Sequence, residues 1–334
     1  MSVVFLRKLD IISSKSTYLN RDKRQNMKPQ LDFNKIAEDN QREAAEYLST
    51  SELLRLAMTS KTHRSIFTPL VDVRKLLHYV VRGEHEQVKS ILKKEINLIV
   101  QRGSVTDCSG AAFDNISAFE YVSWALDKHM WAAMIECIPS NEEGKKVFAQ
   151  LIAQYNKVDT DGVTYRLNGK TITEKHFDFE NTIIKELQTQ VDSINAPGAK
   201  NWEAIDKQWR EGVGGAQKRL PMHIVDEYCS NEPFYPVPKF ISQPKSSKQF
   251  YHWVTDKNEN WFSVDSKLSV DFAIFKGLSV CIGSRLAMRL AWFVVGDLDV
   301  MTALCKVRTN DFIDLKSQLE DQMTLDNHHQ VSQI

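Results

Sequence analysis

The residues best suited to chemistry lie in the segment PMHIVDEYC, which holds His223, Asp226, Glu227 and Cys229. On a helix, His223 shares a face with Asp226 and with Glu227, at spacings of three and four. An imidazole beside a carboxylate suits proton transfer, and a thiolate nearby would extend the set toward metal binding. No second His or Cys set at zinc spacing accompanies it, so a satisfied structural cluster is the first reading. Cys281 sits in GLSVCIGS between Gly277 and Gly283. A nucleophilic cysteine needs a base and a depressed pKa; His223 or His252 would reach it only through the fold. A buried strand cysteine is the simpler reading. Ser279 misses the G-x-S-x-G pattern because Cys281 holds the last glycine position. Gly212, Gly214 and Gly215 with Lys218 lack phosphate-loop spacing and read as a joint. His328 and His329 belong to a polar tail, where a solvated end is the default. His223, Asp226, Glu227 and Cys281 are thus the candidate catalytic cluster, should the chain be an enzyme.

The bulk of the chain narrows the field. It has 334 residues, with 43 Lys plus Arg against 43 Asp plus Glu. A neutral balance supplies no global field for nucleic acid or membrane binding. The charge is uneven, however: Arg7, Lys8, Lys15, Arg21, Lys23, Arg24 and Lys28 face only Asp10 and Asp22 in residues 1–30. That basic arm reads as a solvated extension, with peripheral contact to lipid head groups or an acidic partner as the sharper alternative. The cysteine count of five is odd, the spacings are wide and no CxxC occurs, which fits reduced thiols in a cytosolic environment. The apolar VVFL near the start is broken by Arg7, Lys8 and Asp10, too soon for a signal-peptide core. No apolar run approaches the ~20 residues of a membrane span. The nearest, LAMRLAWFVV at 286–295, carries Arg289. No cofactor motif and no metal site are expected.

The elements that must position these residues are mostly helical. Residues 31–47 carry a rough helical stripe. Ser49 and Glu52 then form a capping box for a short helix over 50–58, with Leu53, Leu54, Leu56 and Ala57 on its apolar face. A third helix over about 62–68 ends at Pro69. Residues 73–138 read as two helical pairs, the first around Leu76, Val80, Val88 and Ile91, the second around Tyr121, Trp124, Met130 and Trp131. Gly83 breaks the first pair, and QRGSVTDCSGAAF is a loop between the pairs. Their offset of about 45 residues makes a weak internal repeat. A helix follows from Pro139-Ser140. VTYRLNGKTIT then reads as a hairpin, since Asn168-Gly169 suits a type I′ turn. Helical pattern returns over 176–192 and 201–209. NEPFYPVPKF must be extended. FYHWV and NWFSV, joined by TDKNE, read as a second hairpin, and DFAIFKGLSVCIG as a further strand and turn. Residues 285–320 split into three helical segments, with Thr309 as a cap, before a polar tail from 321.

YLSTSELLRLAMTSKTHRSIF resembles the later part of an F-box: Leu-Ser-x-x-Glu-Leu, then Leu-Arg-Leu-Ala-Met, Ser-Lys and a closing Phe. The Leu-Pro that opens such motifs is replaced here by LDFNKIAEDN. LLHYVVRGEHEQVKSIL, VTDCSGAAF and ISAFEYVSWALDKHMW resemble the ankyrin-like segment of effectors that intracellular bacterial pathogens inject through type IV secretion. Ala111 and Ala112 stand where such relatives carry Arg-Thr. LPMHIVDEYC, DFAIF and ALCKVRTNDFIDL are similar to the C-terminal part of such effectors. The resemblance implies a protein-interaction adaptor, secreted into the host cytoplasm, that brings a host target to a Skp1-cullin-type ubiquitin ligase. It implies that Leu53, Leu54, Leu56, Ile66 and Phe67 line the contact with a Skp1-type adaptor, although the same apolar residues equally suit a core. An enzyme acting through the C-terminal module, and a non-catalytic scaffold, are the alternatives. The expected fold is mainly α: a basic arm over 1–30, an F-box-like three-helix bundle over 31–72 and ankyrin-like helical pairs over 73–158. A hairpin and helical connector over 159–220, a C-terminal α+β module with small β hairpins over 221–320 and a polar tail over 321–334 complete it.

Overall fold

The computed structural model describes residues 36–276, 280–286 and 291–324; the basic arm, Ser279 and the His328-His329 tail lie outside the described residues. The chain divides into two compact units, Met1–Val71 and Asp72–Ile334.

In the first unit, α1 spans Glu38–Glu46, α2 Thr50–Ala57, and α3 begins at Lys61. The capping box forms as its spacing requires. The Ser49 amide donates to Glu52 Oε2 at 2.8 Å, and the Glu52 amide donates to Ser49 Oγ at 3.3 Å. This holds the chain reversal before α2. The Thr59 hydroxyl then donates to Leu56 O at 2.7 Å, and Ser60 Oγ accepts the His63 amide at 3.0 Å to start α3. Among the described residues, the unit's core is Ala45, Leu48, Leu53, Leu56, Ala57, Ile66 and Phe67. Pro69 does not end the third helix, which runs from Lys61 to Val80 with the proline inside it. Proline there removes one backbone donor at a cost of about 3 kcal/mol. Burial of Ile66 and Phe67 before it, and of Leu76 and Leu77 after it, outweighs that local preference.

In the second unit, Gly83 takes φ +67° after α3, and α4 covers His85–Leu92. The stretch read as a loop contains two strands, β1 (Arg102–Thr106) and β2 (Ala112–Ser117), paired antiparallel. Sequence pattern misses them because the strands are short and their turn residues dominate the composition. Asp107 organises the turn: its Oδ1 accepts from the Ser109 amide at 2.9 Å, the Ser109 hydroxyl at 2.7 Å and the Ala111 amide at 3.0 Å. Next come α5 (Ala118–Ala125), α6 (Lys128–Ile135) and α7 (Glu142–Asp161). Hairpin β3 (Val163–Leu167) and β4 (Lys170–Glu174) turns through Asn168 and Gly169, both at positive φ, and completes a sheet in the order β1-β2-β3-β4.

A π-helical turn at Glu180–Ile184 leads into α8 (Lys185–Asn195), and α9 (Trp202–Lys207) is followed by a second π-helical turn at Gln208–Val213. The glycines read as a joint are helical: Gly212 lies in that second turn, and α10 covers Gly214–Gln217. A Cβ on Gly214 would stand 2.9 Å from Phe272 O, so close packing explains the missing side chain. Then α11 (Met222–Tyr228) precedes a second sheet of β5 (Gln249–His252), β6 (Lys257–Asn260), β7 (Ala273–Lys276) and β8 (Cys281–Ser284), in the order β6-β5-β8-β7. The hairpin turns at Trp253–Asp256, and the edge strand is Lys257–Asn260, whose first three residues were expected in the connection. Polar β6 residues suit an edge, where water and charge are tolerated.

From Ala291 on, the C-terminal helical segments run together as a single helix, α12, Ala291–Thr324. Its buried stripe reads Val294, Asp297, Met301, Leu304, Arg308, Phe312, Leu315 and Leu319. Those are helical intervals of three and four. Asp297 and Arg308 occupy stripe positions with charged side chains, which breaks the apolar pattern without breaking the helix. Among the described residues, no helix is long and apolar enough to cross a membrane.

Candidate functional site

The structure separates the five adaptor-contact candidates. Leu53, Ile66 and Phe67 are at most 2% exposed and Leu56 is 9% exposed; all four build the first unit's own core. Leu54 is 43% exposed, and Met58, one helical turn on, is 74% exposed. The contact expected from the ridge is therefore corrected: its buried side is sealed within the chain. Leu54 and Met58 present the outward apolar edge, and Tyr47 is exposed as well. The alternation follows from α2 itself, since Leu53, Leu56 and Ala57 share one face and Leu54 turns away from it.

The chemical candidates around α11 are absorbed into a buried polar network. Every residue of α11 is buried. His223 Nε2–H donates to Ala125 O at 2.7 Å, and burial lowers its pKa to about 4, so the ring is neutral. Burial pushes both the Asp226 and the Glu227 carboxyl up to about 7. Arg308 answers Glu227: Nη2 approaches Glu227 Oε1 at 3.5 Å and His129 Nε2 at 2.9 Å. Its Nη1 donates to Phe240 O at 3.2 Å and to Asp311 Oδ2 at 3.0 Å. Burial, then the adjacent Arg308 charge, lowers His129 to about 4. Lys276 Nζ donates to Glu227 O at 2.6 Å and Ser230 Oγ at 2.9 Å, while its amide donates to Asp297 Oδ1 at 3.1 Å. Cys281 is buried, and burial followed by contact with Cys229 holds its thiol well above the ordinary range. His223 thus spends its ring nitrogen on a carbonyl, and Cys281 meets a second thiol. The arrangement ties α11, α12, α6 and β7 together; its protonation states suit packing better than nucleophilic attack. Among the described residues, no group of three His, Cys, Asp or Glu is placed to hold a metal ion.

A third feature escaped the sequence reading. A cavity of about 190 Å³ opens between the β1–β2 turn, the β3–β4 hairpin and the segment after it. Trp124, Tyr165 and Phe177 line it, with Trp124 and Tyr165 rings 5.1 Å apart and edge-on. Glu174 Oε1 accepts from Trp124 Nε1 at 3.1 Å and from the Tyr165 hydroxyl at 2.9 Å. Burial raises the Glu174 carboxyl, and these two hydrogen bonds oppose the shift. Arg219, from the turn after α10, also lines the cavity. One signal was available: the alternation of β4 puts the Glu174 carboxylate on the same half-buried face as Ile172.

Comparison with known proteins gives two matches. A family described as the CBUA0006 C-terminal domain matches residues 182–319, from the turn before α8 through most of α12. The chain is also similar to the uncharacterized protein CBUA0006 of Coxiella burnetii (strain RSA 493 / Nine Mile phase I): 36% identical over 261 residues, covering 72% of this chain and 74% of that protein. No solved structure matches.

Proposed function

This chain belongs to the CBUA0006 family, and on that premise we propose that it is a protein-interaction adaptor delivered into a host cell. There its first unit would engage a Skp1-type adaptor and bring a host target to a cullin-type ubiquitin ligase. The reading is supported by the F-box-like sequence of residues 47–67 and by a relative in Coxiella burnetii. The observation that carries it is the division of labour on α2. Leu53 and Leu56 close the unit's own core, while Leu54 and Met58 stay exposed one turn apart on its other side. Two large apolar side chains at that spacing are a surface that another molecule can cover.

The test uses the exposed pair, because Leu53→Asp or Leu56→Asp would place a charge in the core and unfold the unit. Full-length protein and the Leu54→Asp plus Met58→Asp variant are each passed over immobilised, purified Skp1-type adaptor. The expected result is retention of the wild type and loss of the variant, with unchanged circular dichroism. Equal retention of both, or of neither, overturns the proposal.

A further inference from the structure

We propose that the cavity bounded by Trp124, Tyr165, Phe177, Glu174 and Arg219 is a binding site for a small zwitterion, a free apolar or aromatic α-amino acid. Three observations lead there. The Trp124, Tyr165 and Phe177 rings line it beside polar groups, Asp178 and Asn181 among them, and the volume, about 190 Å³, suits one amino acid rather than a cofactor. Glu174 is held in place by two neutral donors, Trp124 Nε1 and the Tyr165 hydroxyl, both on its Oε1. Its second oxygen has no hydrogen bond from the described residues. Arg219 is half-buried and has no hydrogen bond or ion pair from its side chain to any described residue, although it lines the same cavity as Glu174.

Glu174 thus keeps one oxygen, and Arg219 its guanidinium, without a hydrogen bond among the described residues. A ligand that carries an ammonium at one end and a carboxylate at the other answers both. Its ammonium would meet Glu174 and its carboxylate the planar fork of Arg219. Its side chain would lie against Trp124, Tyr165 and Phe177, whose faces favour both apolar groups and a nearby cation. The site is distinct from the α2 surface and does not depend on the adaptor reading.

The experiment is isothermal titration of the full chain with L-phenylalanine and L-leucine, and with the amide and the N-acetyl derivative of each. The protein is wild type, Glu174→Gln or Arg219→Met. Arg219 makes no side-chain hydrogen bond among the described residues, so its replacement should leave the fold intact, which circular dichroism would check. The expected result is saturable binding of the free amino acid, weakened about tenfold or more by Arg219→Met, by Glu174→Gln, by amidation and by acetylation. No heat with either amino acid, or affinity unchanged in Arg219→Met, overturns the proposal. So does binding that survives amidation but not acetylation, which would mark a site for cations alone.

Discussion

At the scale of single residues, the second unit places charge where burial is greatest. Arg308 shows no exposure, yet it donates to Phe240 O and Asp311 Oδ2 and faces Glu227. Removing one partner of such a set leaves the others desolvated and unanswered. Arg308→Leu is therefore expected to cost about 3–5 kcal/mol in urea unfolding, more than its lost methylene packing alone would explain. Asp226 gives a pH signature. Its carboxyl titrates near 7 in the folded protein, well above the ordinary value of 3.8. A raised carboxyl contributes its full share to stability below the unfolded pKa, and that share is lost as pH rises through the folded one. Asp226→Asn removes this dependence. The stability of the variant relative to wild type should climb by about 1.4 kcal/mol per pH unit between roughly pH 4 and 7 and be flat outside that window. His129 and His223 titrate in the opposite sense in both proteins and cancel in the difference. A difference that stays level across that window would show that Asp226 is ionised in the fold. The sequence exposed the identity of the α11 polar residues but not the role of Arg308, because its partners come from positions 129, 227, 240 and 311.

At the scale of elements, local signals decided most turns and failed where tertiary burial competes with them. The Ser49 capping box and the Asn168-Gly169 hairpin were legible, because each is a contact within a few residues. The β1–β2 pair was not, since an Asp-Cys-Ser-Gly turn flanked by five- and six-residue strands has the composition of a loop. The breaks expected within α12 are positions where a charged residue occupies a buried stripe, a pattern that only the partners Lys276 and Glu227 make intelligible. Gly283 belongs to the same class: a Cβ there would stand 2.8 Å from the Phe250 ring, a contact 33 positions away in sequence. The glycines at 212–215 misled for the same reason. Pro69 offers the element-scale test. It sits inside α3, where its ring displaces one backbone hydrogen bond while the helix continues on both sides. Pro69→Ala should restore that bond and raise stability by about 1–3 kcal/mol, read from denaturant midpoints at constant m-value. A loss of stability would mean that the helix needs a bend at this point.

At the scale of the whole chain, the two units differ in how much core each holds. Among the described residues, the first holds seven buried apolar side chains, two of them alanines. The second holds one continuous cluster running from Val73 to Leu319. A core of seven side chains offsets only a few kcal/mol of chain entropy. Its backbone should therefore open at lower free energy than that of the second unit. Native-state hydrogen exchange is expected to show weaker protection for amides of α1 and α2 than for those of α5, α7 and α12. Phe67→Ala sharpens the comparison. Phe67 shows no exposure, and truncating a buried phenylalanine costs about 3–5 kcal/mol, comparable to everything so small a core can supply. The variant should lose protection across Glu38–Ala57 while residues Ala118–Ala125 and Glu142–Asp161 exchange as in the wild type. Equal loss throughout would mean that the chain unfolds as one cooperative body. A unit this close to its stability limit is also one that a partner covering Leu54 and Met58 would stabilise measurably, so adding the Skp1-type adaptor should restore α1 and α2 protection selectively if the proposed contact forms.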